Sequence, residues 1–168
     1  GLFARARSKA SRCRSILRTS GSAEPTLSAR AYCITTAGDD MTVNAYVVWD
    51  PASGRAAAFD TGADARPIID FIEQQRLVLD FVFITHTHPD HIADLDRLRV
   101  CCPNIFSHLK EPCPDTRTFA IDATTCWALG ALRIEPRATH GHARGGVTYV
   151  VTGLARPVAV VGDAIFAS

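Results

Sequence analysis

A chain of 168 residues, 47% hydrophobic and 21% charged, is large enough for one globular domain with a real core. Its formal charge of +1 conceals an asymmetry: residues 1–30 hold seven of the eighteen Lys and Arg and a single acid, Glu24, leaving 31–168 with 11 basic and 16 acidic groups. That balance gives the domain no electrostatic footprint for nucleic acid, and no apolar run approaches the roughly 20 residues of a membrane span.

Residues 1–30 form a basic leader, rich in Arg and Ser and poor in acids. That composition suits an organelle transit peptide, and equally a disordered basic tail. The first reading expects a mitochondrial or plastid location, the second a cytoplasmic one. From residue 31 the pattern changes. Ala31–Thr36 and Val43–Trp49 have strand composition and flank Gly38-Asp39-Asp40, and Arg55–Phe59 follows a turn at residues 50–54 as the second arm of a hairpin. Ile68, Ile69, Phe71 and Ile72 recur three and four apart, predicting a helix from about Asp64 to Arg76. Phe81–Ile84 is wholly apolar, as expected of a strand buried on both faces. A second helix is expected from His91 to Val100, with Ile92, Leu95 and Leu98 inward. Further strand-like runs are 104–107, 118–121, 125–129, 132–138, 147–151 and 157–161. Strands and hairpins interleaved with few helices indicate a layered α/β domain with mixed sheets.

The six cysteines contain no C-x-x-C pair and no recognisable disulfide framework. Cys101, Cys102, His108 and Cys113 lie close enough in sequence for a thiolate zinc site, but vicinal cysteines rarely chelate one ion together. Reduced thiols in the core are the expectation, which favours a reducing compartment.

The chemistry concentrates in Ile84–His91, ITHTHPDH, which holds three of the six histidines and a carboxylate. Neutral imidazole is the commonest metal ligand. His86 and His88 are two apart, so in an extended loop both side chains point one way and can reach one ion. Asp90 and His91 follow where the loop turns into a helix and could face a second ion. Four residues cannot close two sites, since one zinc takes about four ligands. Candidates for the remainder sit at other strand ends: Thr139-His140-Gly141-His142 after one strand, and Gly162-Asp163 after another.

HTHPDH, a Thr-x-Gly-His segment, a hydrophobic strand ending in Gly-Asp, and the early FDTG at Phe59–Gly62 together resemble the metallo-β-lactamase superfamily, in the family's order across 31–168. The resemblance implies a four-layer αββα sandwich. By position, His86, His88 and His142 resemble the ligands of a first metal, Asp90 and His91 those of a second, and Asp163 the carboxylate that bridges them. The family places its ligand directly after Gly, which favours His142 over His140; His140 then supports the ligands from behind, as does Asp60, whose alternative is a turn residue capping a strand. Two-metal members complete the second site with another His well beyond Gly-Asp, and none follows Asp163 in this sequence. The simplest expectation is that residues 31–168 lack the C-terminal part of the domain.

The short loops around HTHPDH and the segment GGVTYVV look most like the glyoxalase II-like branch. That implies two divalent ions of the zinc type, a metal-bound hydroxide as nucleophile with Asp90 orienting it, and hydrolysis of a small-molecule thioester such as a hydroxyacyl-glutathione. The first alternative is a persulfide dioxygenase holding one iron on His86, His142 and Asp163. A lactonase or other esterase, and an inactive metal-binding fragment, are further alternatives.

Overall fold

The computed structural model describes residues 28–38 and 42–165. The leader through residue 27, Cys13 within it, and residues 39–41 and 166–168 lie outside the described residues. Among the described residues, ten strands form two sheets. The first is mixed, in the order β1 (Arg30–Ala37), β2 (Thr42–Asp50), β3 (Arg55–Phe59), β4 (Val78–Phe83), β5 (Ile105–His108), β6 (Arg117–Phe119). Its first two pairings are antiparallel and the remaining three parallel. The second sheet is antiparallel throughout, in the order β10 (Val158–Val160), β9 (Val147–Thr152), β8 (Leu132–Ala138), β7 (Trp127–Leu129). Ala29, one residue before β1, already bridges to Leu154 and is buried.

Two cores follow from the alternation of side chains along the first sheet. Ala56 and Ala58 face one side and Ala57 and Phe59 the other. The first side carries helices α1 (Arg66–Gln74) and α3 (Leu95–Cys101) through Ile68, Ile72, Leu95 and Leu98. The second side packs on the smaller sheet through Leu132, Ile134, Tyr149 and Val151. Helix, sheet and sheet are thus three of the four layers of the expected αββα sandwich, seen among the described residues. Among the described residues, every helical residue of the two cores belongs to the first.

The centre of the inter-sheet core is aromatic. Phe83, 0% exposed, stacks with Phe59 at 5.5 Å and Phe106 at 5.6 Å between ring centres, and meets Trp127 at 4.8 Å and Tyr149 at 5.0 Å. Aromatic packing of this density adds to plain area burial. The Tyr149 hydroxyl donates to the Ile84 carbonyl at 3.0 Å, tying the second sheet to the residue that leaves β4.

Several strands shift at their ends, β4 starting at Val78 rather than Phe81, and the two expected helices change most. The helix at 64–76 is shorter at both ends: Asp64 instead accepts the Arg66 N–H at 2.9 Å, Pro67 occupies the first turn, and Arg76 turns out of the helix at φ 53°. The helix expected at 91–100 is two, α2 (Pro89–Ile92) and α3, separated at Asp94 with φ −122° and ψ 33°. The carboxylate of Asp94 accepts the Ala65 N–H at 3.1 Å, and the His91 carbonyl accepts the Thr61 N–H at 2.9 Å. Both bonds run to the loop after β3, so the backbone breaks where that loop competes for it. Leu95 and Leu98 are buried as expected, and Ile92 is partly buried against the same core.

Parallel pairing of β3 with β4 places Phe59 opposite Phe83. The chain segments that follow, Asp60-Thr61 and Ile84–His91, therefore leave the sheet side by side. A bulge precedes this register: Ala56 pairs with Leu79 and Ala57 with Phe81, so Asp80 is the extra residue.

Phe83→Ala should cost roughly 3–5 kcal/mol of stability. Val78→Ala on the same strand, at a side chain 57% exposed, should stay within about 0.5 kcal/mol. Urea unfolding midpoints compare them.

Candidate metal centre

Three loops meet at the edge where β3 and β4 end: 60–65 after β3, 84–88 after β4 and 139–146 between β8 and β9, with the 3-10 turn Gly162–Ala164 after β10 closing the set. Two groups of ligand atoms gather there, each within 4.8 Å of one another: His86, His88 and His142, and His86, His91 and Asp163. His86 belongs to both. Its ring lies 4.5 Å from that of His88, 4.1 Å from His91 and 4.9 Å from His142. His88 Nδ1 and His142 Nε2 are 2.9 Å apart and share a hydrogen bond.

The buried Asp60 organises this cluster. Its φ is 58°, a left-handed conformation that Asp tolerates better than most residues. Oδ1 accepts the Thr85 N–H at 2.7 Å, and Oδ2 accepts the Thr85 hydroxyl at 2.7 Å and the His91 Nδ1–H at 2.9 Å. A carboxylate can only accept, so His91 carries a proton on Nδ1, and its neutral form presents the Nε2 lone pair inward. The Thr85 hydroxyl, having donated to Asp60, accepts from His86 Nδ1 at 3.1 Å. His86 therefore also keeps its lone pair on Nε2. That atom is buried and has no hydrogen-bond partner among the described residues. An unpartnered buried nitrogen is costly unless something else meets it, and this one faces both ligand groups. The donor set fits a divalent ion.

Asp163 stands between the groups. Oδ1 is 3.1 Å from His91 Nε2, while Oδ2 is 3.5 Å from His142 Nε2 and 4.0 Å from His86 Nε2. The glycine before it is required, because at φ 53° a Cβ on Gly162 would lie 2.5 Å from the Thr85 hydroxyl. Asp90 lies at the side, with Oδ2 3.6 Å from His91 Nε2, and belongs to neither compact group. His140 is exposed and lines a separate open cleft with Lys110 and Arg144.

Burial sets the protonation of His86: it pushes the imidazole below its ordinary range, the neighbouring His91 pushes the same way, and the nearby Asp60 and Asp163 do not reverse it. For His91, burial also opposes the charge. There the hydrogen bond and charge of Asp60, with Asp163 and Asp90, outweigh it, and the net shift is upward.

Two contributors went unread in the sequence. Thr85 is a strand-end threonine with no metal-ligand chemistry of its own. Glu111, far along the chain, accepts from both Thr87 and Gly145 and so bridges the two histidine loops. The cysteines stay apart from the centre. Cys102 and Cys113 are buried, Cys101 is exposed, the described cysteines are free thiols, and neither ligand group contains one. Burial raises both Cys102 and Cys113.

Residues 38–100 match the family described as the metallo-beta-lactamase superfamily. Over 112 residues the chain is 30% identical to a hydroxyacylglutathione hydrolase of Bdellovibrio bacteriovorus, an alignment spanning 62% of this chain and 42% of that protein. Over 92 residues it is 34% identical to the enzyme of the same name from Photobacterium profundum, spanning 54% and 36%. In structure it superposes on a metallo-beta-lactamase from Staphylococcus aureus with a TM-score of 0.64 at 18% identity, covering 82% of this chain and 44% of that one. The partial sequence match and the shared fold both liken this chain to the metallo-β-lactamase superfamily. ETHE1 from Myxococcus xanthus shares the fold at a TM-score of 0.58 and 19% identity, over 71% of this metallo-β-lactamase-fold chain and 53% of its own. The matches to the curated relatives named here span less than half the length of those relatives.

Asp60→Asn should lower the His91 pKa, because it removes the hydrogen bond and charge that raise it. A raised histidine pKa contributes stability below the unfolded value of about 6.5 that is lost as pH climbs through the folded value. The variant's stability deficit in metal-free protein should therefore be larger at about pH 5.5 than at about pH 8. Imidazole titration by NMR and urea unfolding at both pH values read the two effects.

Proposed function

We propose that this chain carries the metal centre of a metal-dependent hydrolase that cleaves a thioester of the hydroxyacyl-glutathione type. The observation that carries the reading is His86 Nε2, a buried lone pair without a hydrogen-bond partner, set between two converging ligand groups. The similarity to hydroxyacylglutathione hydrolases supports the substrate class.

In this reading His86, His88 and His142 would hold one ion, and His91 and Asp90 a second, with Asp163, whose oxygens lie toward His91 on one side and toward His142 and His86 on the other, available to both. When bound, divalent ions of the zinc type lower the pKa of a coordinated water from about 15.7 toward ~7 and polarise the carbonyl under attack. The chain's own residues supply geometry and proton traffic. The half-buried Asp90 carboxylate is placed beside His91 to orient the attacking water and take its proton. Asp60 holds His91 and, through Thr85, His86 in the tautomers that present Nε2. A thiol pKa of about 8.5 lets the sulfur depart as thiolate, so the site needs no strong acid on the leaving-group side.

A second reading has its own observation. His86, His142 and Asp163 form a two-histidine, one-carboxylate set, with both Nε2 atoms within 4.0 Å of one Asp163 oxygen. Such a set with open positions suits non-haem iron and oxygen chemistry, here persulfide oxidation.

Elemental analysis of the purified protein separates the two. About two zinc-type ions per chain, with hydroxyacyl-glutathione hydrolysis that a chelator abolishes and zinc restores, is the expected result. One iron per chain with oxygen uptake on a persulfide would replace it with the second reading. Asp90→Asn should lower kcat by about 10²–10⁴-fold. His142→Ala should strip metal far more than His140→Ala, and the reverse outcome would overturn the ligand assignment.

A further inference from the structure

Glu111 is in neither ligand group, yet its carboxylate grips both loops that carry the outer histidines. Oε2 accepts the Thr87 hydroxyl at 2.5 Å and the Thr87 N–H at 3.3 Å, and Oε1 accepts the Gly145 N–H at 2.9 Å. Thr87 lies between His86 and His88, and Gly145 three residues beyond His142. From this geometry we propose that Glu111 is a positioning residue: it fixes the span between His88 and His142 and thereby sets the affinity of the outer histidine trio for a metal ion. The proposal rests on the metal-centre reading and assigns the clamp that holds its outer histidines together.

The chemistry of the three contacts selects glutamate. All three partners donate, and a carboxylate is an acceptor only. A glutamine would turn N–H groups toward N–H groups at one end. An aspartate is one methylene shorter and cannot reach both loops. The charge is secured in place: burial opposes ionisation, but the bonds from Thr87 and Gly145, with His86 nearby, hold the Glu111 carboxyl below its ordinary range.

The clamp is also anchored. The Glu111 N–H donates to the His108 carbonyl at 2.8 Å, at the end of β5. That strand pairs in parallel with β4, which delivers His86. The loop on the other side comes close enough only because residue 145 is glycine. A Cβ there would sit 2.7 Å from Glu111 Cγ and 2.9 Å from the Lys110 backbone carbonyl carbon. His88 and His142 are themselves exposed, so burial of their own side chains does little to hold their spacing. Hydrogen-bond partners behind a ligand set commonly change metal affinity by about 10–100-fold.

The test uses the full chain, with cobalt(II) as the probe metal. Wild type, Glu111→Ala, Glu111→Gln and Thr87→Val are compared by cobalt titration, by thermal unfolding and by imidazole ¹H–¹⁵N spectra of the metal-free proteins. Glu111→Ala and Glu111→Gln should bind cobalt about 10–100-fold more weakly and lose the His88–His142 imidazole hydrogen bond. Thr87→Val, which drops the hydroxyl and keeps the N–H, should fall between them and wild type. A folded Glu111→Ala with wild-type cobalt affinity and an intact imidazole bond would overturn the proposal, as would a lowered Tm with no change in either. If Glu111→Ala does not fold, Thr87→Val decides: no change in cobalt affinity or imidazole bond refutes the clamp. Failure of the wild type to take up cobalt refutes the metal-centre reading instead. The clamp is then judged on the imidazole bond alone, and its persistence in the variants refutes it.

Discussion

The arrangement at this sheet edge depends on one buried carboxylate. Asp60 accepts three hydrogen bonds, two from Thr85 and one from His91. Through them it determines which nitrogen each of two histidines presents. Without the carboxylate, His91 and His86 could each invert their tautomers and point N–H groups where lone pairs are wanted. Burying a charge is costly unless it is fully satisfied, and here the satisfaction and the orientation of the histidines are the same bonds. The left-handed backbone of Asp60 turns the chain so that its side chain lies under the loop after β4. Local strain of this kind persists only where the surroundings over-determine it.

The scaffold supplies what Asp60 needs. Parallel pairing brings the ends of β3 and β4 level, so donors and acceptor emerge together. The aromatic centre around Phe83 and the Tyr149 hydroxyl fix the last residues of β4 from the other sheet. Above that rigid base the histidines differ in setting. His86 and His91 are buried, whereas His88 and His142 are exposed and rely on polar ties from outside their own strands.

Much of this was legible in the residues. ITHTHPDH at the end of an apolar strand gave four neighbouring candidates, because local spacing fixes which side chains can meet. His142 and Asp163 were readable as strand-end residues, and the choice of His142 over His140 rested on the family resemblance, which puts the ligand directly after Gly. The strands themselves also emerged as short runs bounded by turn residues, whereas their division into two sheets rests on pairings between distant segments. What could not be read depends on distant partners. The break at Asp94 comes from competition by the loop after β3, and a helical period in 91–100 gives no sign of it. The separation of Asp90 from the compact ligand groups is set by where α2 begins. Glu111 lies 24 residues from Thr87 and 34 from Gly145, and a lone glutamate after a strand looks like any solvated acid.

The extra residue in β4 has a bearing on how the chain tolerates changes of length. Asp80 is skipped by the pairing with β3, its side chain pairs with Arg55, and its carbonyl accepts from Asn104 at 3.2 Å. The slack in the strand thus sits three residues before Phe83, ahead of the histidines, and everything beyond it is in fixed register with β3. Loss of one residue at the bulge would leave Phe59 opposite Phe83, whereas loss of one residue between Phe81 and His86 would turn every following side chain to the other face. Insertions and deletions in this segment are therefore not equivalent. The strand has one position that can absorb them, and it lies on the side away from the chemistry.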